Sequence, residues 1–238
     1  MSFSIEEVLD FFQCCEIVDL SHTLEEGMPV HPTQSRYYHM KWTTSGAPFN
    51  SYQFIMHEHN GTHVDSPCHY RGKGHPHQIS IDLLPLYRFM GRCVRIDFSN
   101  MDNQSLVGGK DIQDWEESHS TIHKDDIVLF YFGLSKKWGI GQTGEKFIEK
   151  WPGLSKEAVT YCIHKDINAV GTDALSIDGS DTETFIAHNM LLRSNILIFE
   201  CLNQLDRLPD ISFFLTLPLK IKDGTASPVR AVAFISKK

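Results

Sequence analysis

No stretch of this sequence holds about 18 apolar residues in a row, so no helix is expected to cross a membrane. The opening Met-Ser-Phe-Ser-Ile-Glu-Glu-Val-Leu-Asp lacks the positive n-region and the apolar h-region of a secretory signal. Basic clusters are missing too, and the net charge is -8. Phosphate contacts need Lys and Arg, so neither nucleic acid nor an anionic membrane surface is an expected partner. The six cysteines (Cys14, Cys15, Cys68, Cys93, Cys162 and Cys201) contain no Cys-x-x-Cys pair. They read as reduced thiols of a cytoplasmic protein. There is no repeat, no low-complexity tract and no linker rich in Pro, Gly or Ser, so residues 1–238 are expected to form one domain.

What is present is an ordinary globular balance, 41% hydrophobic and 22% charged, which is enough for a sizeable core. Ile5, Val8, Leu9 and Phe12 fall at helical spacing behind Ser4, a good N-cap. This N-terminal helix (within residues 1–15) packs either on its own domain or on a partner subunit. Strands are expected at 17–20, 51–57, 93–98, 127–132, 169–173, 196–200, 213–221 and 229–235, with helices at 155–164 and 186–194. Strands outnumber helices, which predicts a mixed α/β domain with several antiparallel strands.

Histidine is the anomaly: 13 in all, several of them between positions 57 and 77. The centre of that cluster reads His59-Asn60-Gly61-Thr62-His63-Val64-Asp65-Ser66-Pro67-Cys68-His69. Imidazole and carboxylate are ligands for zinc, manganese and similar ions. On a straight strand His59 and His63 would stand about 13 Å apart, barely spannable by two bonds to one ion. Gly61 and Pro67 argue against a helix, so the chain is expected to bend at Gly61. His57 is read as facing away from the motif, and His75 and His77 as loop residues. Ligand-spaced cysteines are lacking, which argues against a closed structural zinc site.

These eleven residues resemble the His-x-Gly-Thr-His-x-Asp-x-Pro-x-His signature of the cyclase or metal-dependent hydrolase family, which includes bacterial kynurenine formamidases and isatin hydrolases. The likeness extends to Asp19-Leu20-Ser21, Gly27-Met28-Pro29-Val30, Gly171 through Asp178, His188 with Leu191-Leu192, Glu200 with Asn203, Leu217-Pro218-Leu219 and Ser227-Pro228-Val229-Arg230. It implies a compact β core of the swivelling β/β/α type with flanking helices, assembled as a homodimer or homotetramer. It also implies that His59, His63 and Asp65 bind a first metal, that His188 and Glu200 complete the ligand set for one or two ions, zinc or manganese, and that His69 carries the proton.

The implied reaction is hydrolysis of an amide-type C–N bond in a small molecule, an aryl formamide or a cyclic amide. A lyase or cyclase reaction through a stabilised enolate is the second enzyme reading, and a non-catalytic metal-binding protein the third. Two departures fall on the substrate pocket. His31, in Pro29-Val30-His31-Pro32, replaces the substrate-contacting tryptophan usual in the kynurenine formamidases. Phe132-Gly133-Leu134 replaces the family's frequent Thr-Gly-Trp.

Overall fold

The computed structural model describes residues 4–43, 45–70 and 79–237. His75 and His77 lie outside them. Among the described residues, nine strands form one sheet in the order Cys15–Asp19, Val232–Ser236, Ile211–Leu215, Met90–Asp97, Ile127–Tyr131, Ala169–Thr172, Leu197–Glu200, His63–Asp65, Ala226–Pro228. The middle four, from Met90–Asp97 to Leu197–Glu200, run parallel, and the outer pairings are antiparallel. Parallel strands need crossovers, and helices supply them.

Ile127–Tyr131, Ala169–Thr172 and Leu197–Glu200 are buried throughout because both of their faces are covered, while Met90–Asp97 also carries Arg92 and Arg95. Alternation divides their side chains. Val94, Ile96, Val128, Phe130, Val170 and Ile198 pack with helix residues such as Ile112, Trp115, Val159 and Leu191. Cys93, Ile127, Leu129, Leu197 and Phe199 face the opposite way, against Phe214, Ala233 and Leu205.

The expected helices are present. Ser4 caps Ile5–Cys14 by accepting from Glu7 N at 3.1 Å. Ser155 caps Lys156–His164 by accepting from Ala158 N at 3.2 Å. Ile186–Arg193 forms as well. The expected strand over 213–221 stops at Leu215, three residues before Pro218, which has no N–H for a ladder. The strand over 51–57 stops at Ile55 and pairs with an unforeseen neighbour, Tyr38–Lys41, in a hairpin outside the main sheet. The helix Gly109–Ser118 was not expected either. Only Ile112 and Trp115 are buried on it, and its opening Gly108-Gly109 reads as a turn. No described helix is long and apolar enough to cross a membrane.

Asp173 ties two central strands together at the site end of the sheet. It follows Ala169–Thr172 and accepts from Phe132 N at 2.7 Å and Ser135 N at 3.1 Å. Burial pushes its carboxyl up from the ordinary 3.8 to about 6, although those N–H donors favour the anion. The folded chain therefore holds this proton more tightly than the unfolded chain, and stability is lost as pH rises from the unfolded value through about 6. The loss is about 3 kcal/mol at ~1.36 kcal/mol per unit. Urea unfolding of the native chain and of Asp173→Asn across this range is expected to show the native chain losing ground to the variant by that amount. A difference that stays flat with pH would rule out this titration.

Candidate metal centre

The three-residue strand His63–Asp65 lies between Leu197–Glu200 and Ala226–Pro228. Its register sets Glu200 directly across from His63. His63 and Asp65 share one face by the two-residue period of a strand. That is the face on which the helix Ile186–Arg193 packs, and His188 comes from its first turn. The turn Pro67–His69 brings His69 back toward Asp65. Gly61 makes the expected bend at φ +66°, and a Cβ there would meet Leu24 Cδ2 at 2.7 Å. Six side chains thus converge, His59 joining them from the near side of the bend. His59 Nδ1 lies 2.7 Å from Asp65 Oδ1, and His63 Nε2 is 3.4 Å from both Asp65 Oδ1 and Glu200 Oε2. His188 Nε2 lies 3.2 Å from Asp65 Oδ2 and 3.4 Å from Glu200 Oε1.

These distances suit a shared cation. Two ligand atoms each ~2.1 Å from one tetrahedral ion stand about 3.4 Å apart. Both Asp65 oxygens and His63 Nε2 are buried and lack a hydrogen-bond partner among the described residues. Leaving such groups unpaired is costly unless something else satisfies them. Two ligand groups share Asp65: His59 with Asp65 and His69, and His63 with Asp65 and Glu200.

The outer contacts of the histidines point the same way. His63 Nδ1 donates to the Gly61 carbonyl at 2.9 Å, which leaves Nε2, facing the carboxylates, as the nitrogen open to a proton or a cation. His188 Nδ1 donates to Asp178 Oδ2 at 2.6 Å, with the same result. Such outer acceptors orient metal-binding imidazoles.

Charge in the cluster is unbalanced without a cation. Burial disfavours a charged His63, yet the carboxylates of Asp65 and Glu200 outweigh it and lift the imidazole to about 10. His188 is likewise raised against burial, by Glu200, Asp178 and Asp65. Asp65 is held well below its ordinary value despite burial, chiefly by the charges of His59 and His69. Protons are drawn to the positions a metal would fill. His69 behaves differently: burial dominates and pushes it down to about 4, so it is a neutral imidazole at neutral pH.

A cavity of about 330 Å³ opens onto the cluster. His31 lines it, as do His59, Asp65, His69, His188 and Glu200, while His63 sits behind them. His57 also lines the cavity and so does not face away; it has the same strand parity as His59. Phe185 at the cavity wall has φ +44°, rare for a bulky residue. It stands just before the helix whose first N–H groups, those of Ala187 and His188, donate to Asp178. Asp178 and Phe185 were missed as site residues, because a loop acid and a loop aromatic have no periodicity to mark them.

Comparison with known proteins agrees with this geometry. The Cyclase family model matches residues 18–179. Kynurenine formamidase of Erythrobacter litoralis is 30% identical over 219 residues, 91% of this chain and 92% of that protein. Isatin hydrolase of Roseibium aggregatum is 31% identical over 211 residues, 81% of this chain and 78% of that protein. The crystal structure of an isatin hydrolase bound to the product analogue thioisatinate superimposes with a TM-score of 0.90 at 26% identity, covering 99% of this chain and all of that one. With sequence, fold and clustered ligands in agreement, the chain belongs to the Cyclase family.

Proposed function

We propose that this enzyme is a metal-dependent hydrolase that cleaves an amide-type C–N bond in a small molecule, an aryl formamide or a cyclic amide. The observation that carries this reading is Asp65, buried with both oxygens unpaired among imidazole nitrogens at the end of a cavity. His59, His63, Asp65, His188 and Glu200 would hold one or two ions, zinc or manganese by the mix of nitrogen and oxygen donors. Once bound, such an ion supplies a Lewis acid that acidifies water and polarises a carbonyl oxygen.

The chain's own groups do the rest. Asp178 and the Gly61 carbonyl hold His188 and His63 in the ligand tautomer. Glu200 is aimed by a hydrogen bond from Ile177 N at 2.8 Å. His69, neutral and set at the cavity wall, takes a proton from the attacking water and returns it to the leaving nitrogen. His31, half-buried and paired with Thr33 Oγ1 at 2.8 Å, presents a small polar ring to the substrate.

A homodimer or homotetramer in the cytoplasm completes the reading. It is supported by the exposed apolar residues Ile5, Leu9, Phe11 and Phe12 on the N-terminal helix and Tyr38, Tyr52, Phe54 and Ile55 on the hairpin. Both are surfaces that a lone subunit leaves wet. All six cysteines are free thiols, as a reducing compartment requires.

Chelator-treated protein is expected to lose turnover of N-formylkynurenine, isatin or simple aryl formamides, and to regain it with zinc or manganese. Full activity without metal would sink the reading. Solvent oxygen-18 should appear in the acid product, since hydrolysis requires it and a lyase reaction does not. His69→Ala is expected to keep its metal and lose roughly 100- to 10,000-fold in kcat. If the variant instead loses a bound ion, His69 is a ligand, which its place beside His59 and Asp65 allows. Sedimentation should give two or four subunits, and a monomer at assay concentration would remove the assembly from the reading.

A further inference from the structure

Glu58 has no part in the chemistry above, yet it is tightly engaged. Its Oε2 atom accepts from Thr225 N at 2.9 Å, from Ala226 N at 3.3 Å and from Thr225 Oγ1 at 2.9 Å. Thr225 Oγ1 in turn lies 3.1 Å from His59 Nε2. A backbone N–H only donates, so Oε2 is an acceptor here, and the single hydroxyl proton of Thr225 points to it. What Thr225 offers His59 is a lone pair. Nε2 then carries a hydrogen, and Nδ1, 2.7 Å from Asp65 Oδ1, is the nitrogen left for a proton or a cation.

The other tautomer would be self-satisfying. With its hydrogen on Nδ1, His59 could donate toward Asp65, and an entering cation would have to displace that proton. We propose that Glu58, acting through Thr225, is a positioning pair that fixes the Nε2–H tautomer of His59. It thereby withholds a proton from Asp65 and keeps the centre open to a divalent cation. The relay joins the segment before His63–Asp65 to the start of Ala226–Pro228, the strand beside it in the sheet, where Ala226 pairs with Asp65. Sheet register thus aligns the relay with the carboxylate it serves. The value of the pair to metal binding rests on the metal reading given above, whereas the tautomer does not.

Two readouts test it, on the full chain. The first is the nitrogen-15 spectrum of the His59 imidazole in metal-free protein at mildly alkaline pH. The second is zinc affinity by competition with a chromophoric chelator. The native chain is expected to show Nε2–H. Thr225→Val is expected to shift His59 toward Nδ1–H and to weaken zinc binding roughly 10- to 100-fold. Thr225→Ser, which restores the hydroxyl, should behave as the native chain, and Glu58→Ala should move both readouts in the direction of Thr225→Val. A native His59 protonated on Nδ1 overturns the relay outright. So does unchanged zinc affinity in Thr225→Val and Glu58→Ala. If Thr225→Val fails to fold, the native spectrum and the Glu58→Ala and Thr225→Ser pair still decide. A native chain that takes up no zinc overturns the metal reading instead, and the spectrum then judges the tautomer alone.

Discussion

A carboxylate sealed from water with neither oxygen hydrogen-bonded stays charged only if positive charge stands beside it. Asp65 is in that position, with no solvent exposure and both oxygens unpaired. Its surroundings answer that requirement. His59, His63 and His188 each bring a ring nitrogen within 3.4 Å of it. Glu200 adds a second buried acid, which deepens the demand for positive charge. The raised proton affinities of His63 and His188 are one response to that demand, and a divalent cation is the other. The two compete for the same lone pairs, which is why metal sites of this composition are sensitive to acid.

Orientation is what separates a metal centre from a merely polar core, and the sheet supplies it. Asp65 is fixed from both sides, by Ile198 in one neighbouring strand and Ala226 in the other. Each imaginable slip of one residue would turn His63 and Asp65 to the opposite face. The imidazoles are fixed by acceptors behind them: a carbonyl for His63, Asp178 for His188, a hydroxyl for His59. Asp178 also accepts from the first N–H groups of the helix that carries His188, so one carboxylate sets both the helix start and the ring. The unusual backbone of Phe185, worth about 1–3 kcal/mol of strain, is tolerated next to that anchor.

The local part of this centre was readable from the chain. His59, His63, Asp65 and His69 announce themselves by residue type and spacing, and the reach of an imidazole demanded the bend found at Gly61. His188 and Glu200 are different. Glu200 meets His63 across more than a hundred residues through a strand register that periodicity does not encode, His188 reaches Asp65 from a helix start, and only resemblance to a family pointed to them. Thr225 and Glu58 escaped notice for a related reason: a threonine in a turn and a glutamate beside a histidine are ordinary until the fold sets them 2.9 Å apart. The central apolar strands were plain in the sequence because both faces are buried. Gly109–Ser118 was hidden because only two of its side chains are.

Rigid elements carry most of the proposed ligands and loops carry much of the cavity wall, and this division explains which departures from the family matter. His63, Asp65, His188 and Glu200 sit on strands and a helix, where a shift of a fraction of an ångström would break the converging distances. His31, Thr33 and Gln34 line the cavity from a loop, free to differ without disturbing the metal cluster. Burial pushes His31 below its ordinary value, so it presents to the cavity a neutral ring able to give or take one hydrogen bond. A tryptophan at that place would offer a larger face and only a donor. The apolar remainder of the wall, with Leu175 and Phe185, still suits a flat or aliphatic group. The same hydrolytic centre can therefore serve a different small amide, with the difference written at the cavity wall rather than at the metal.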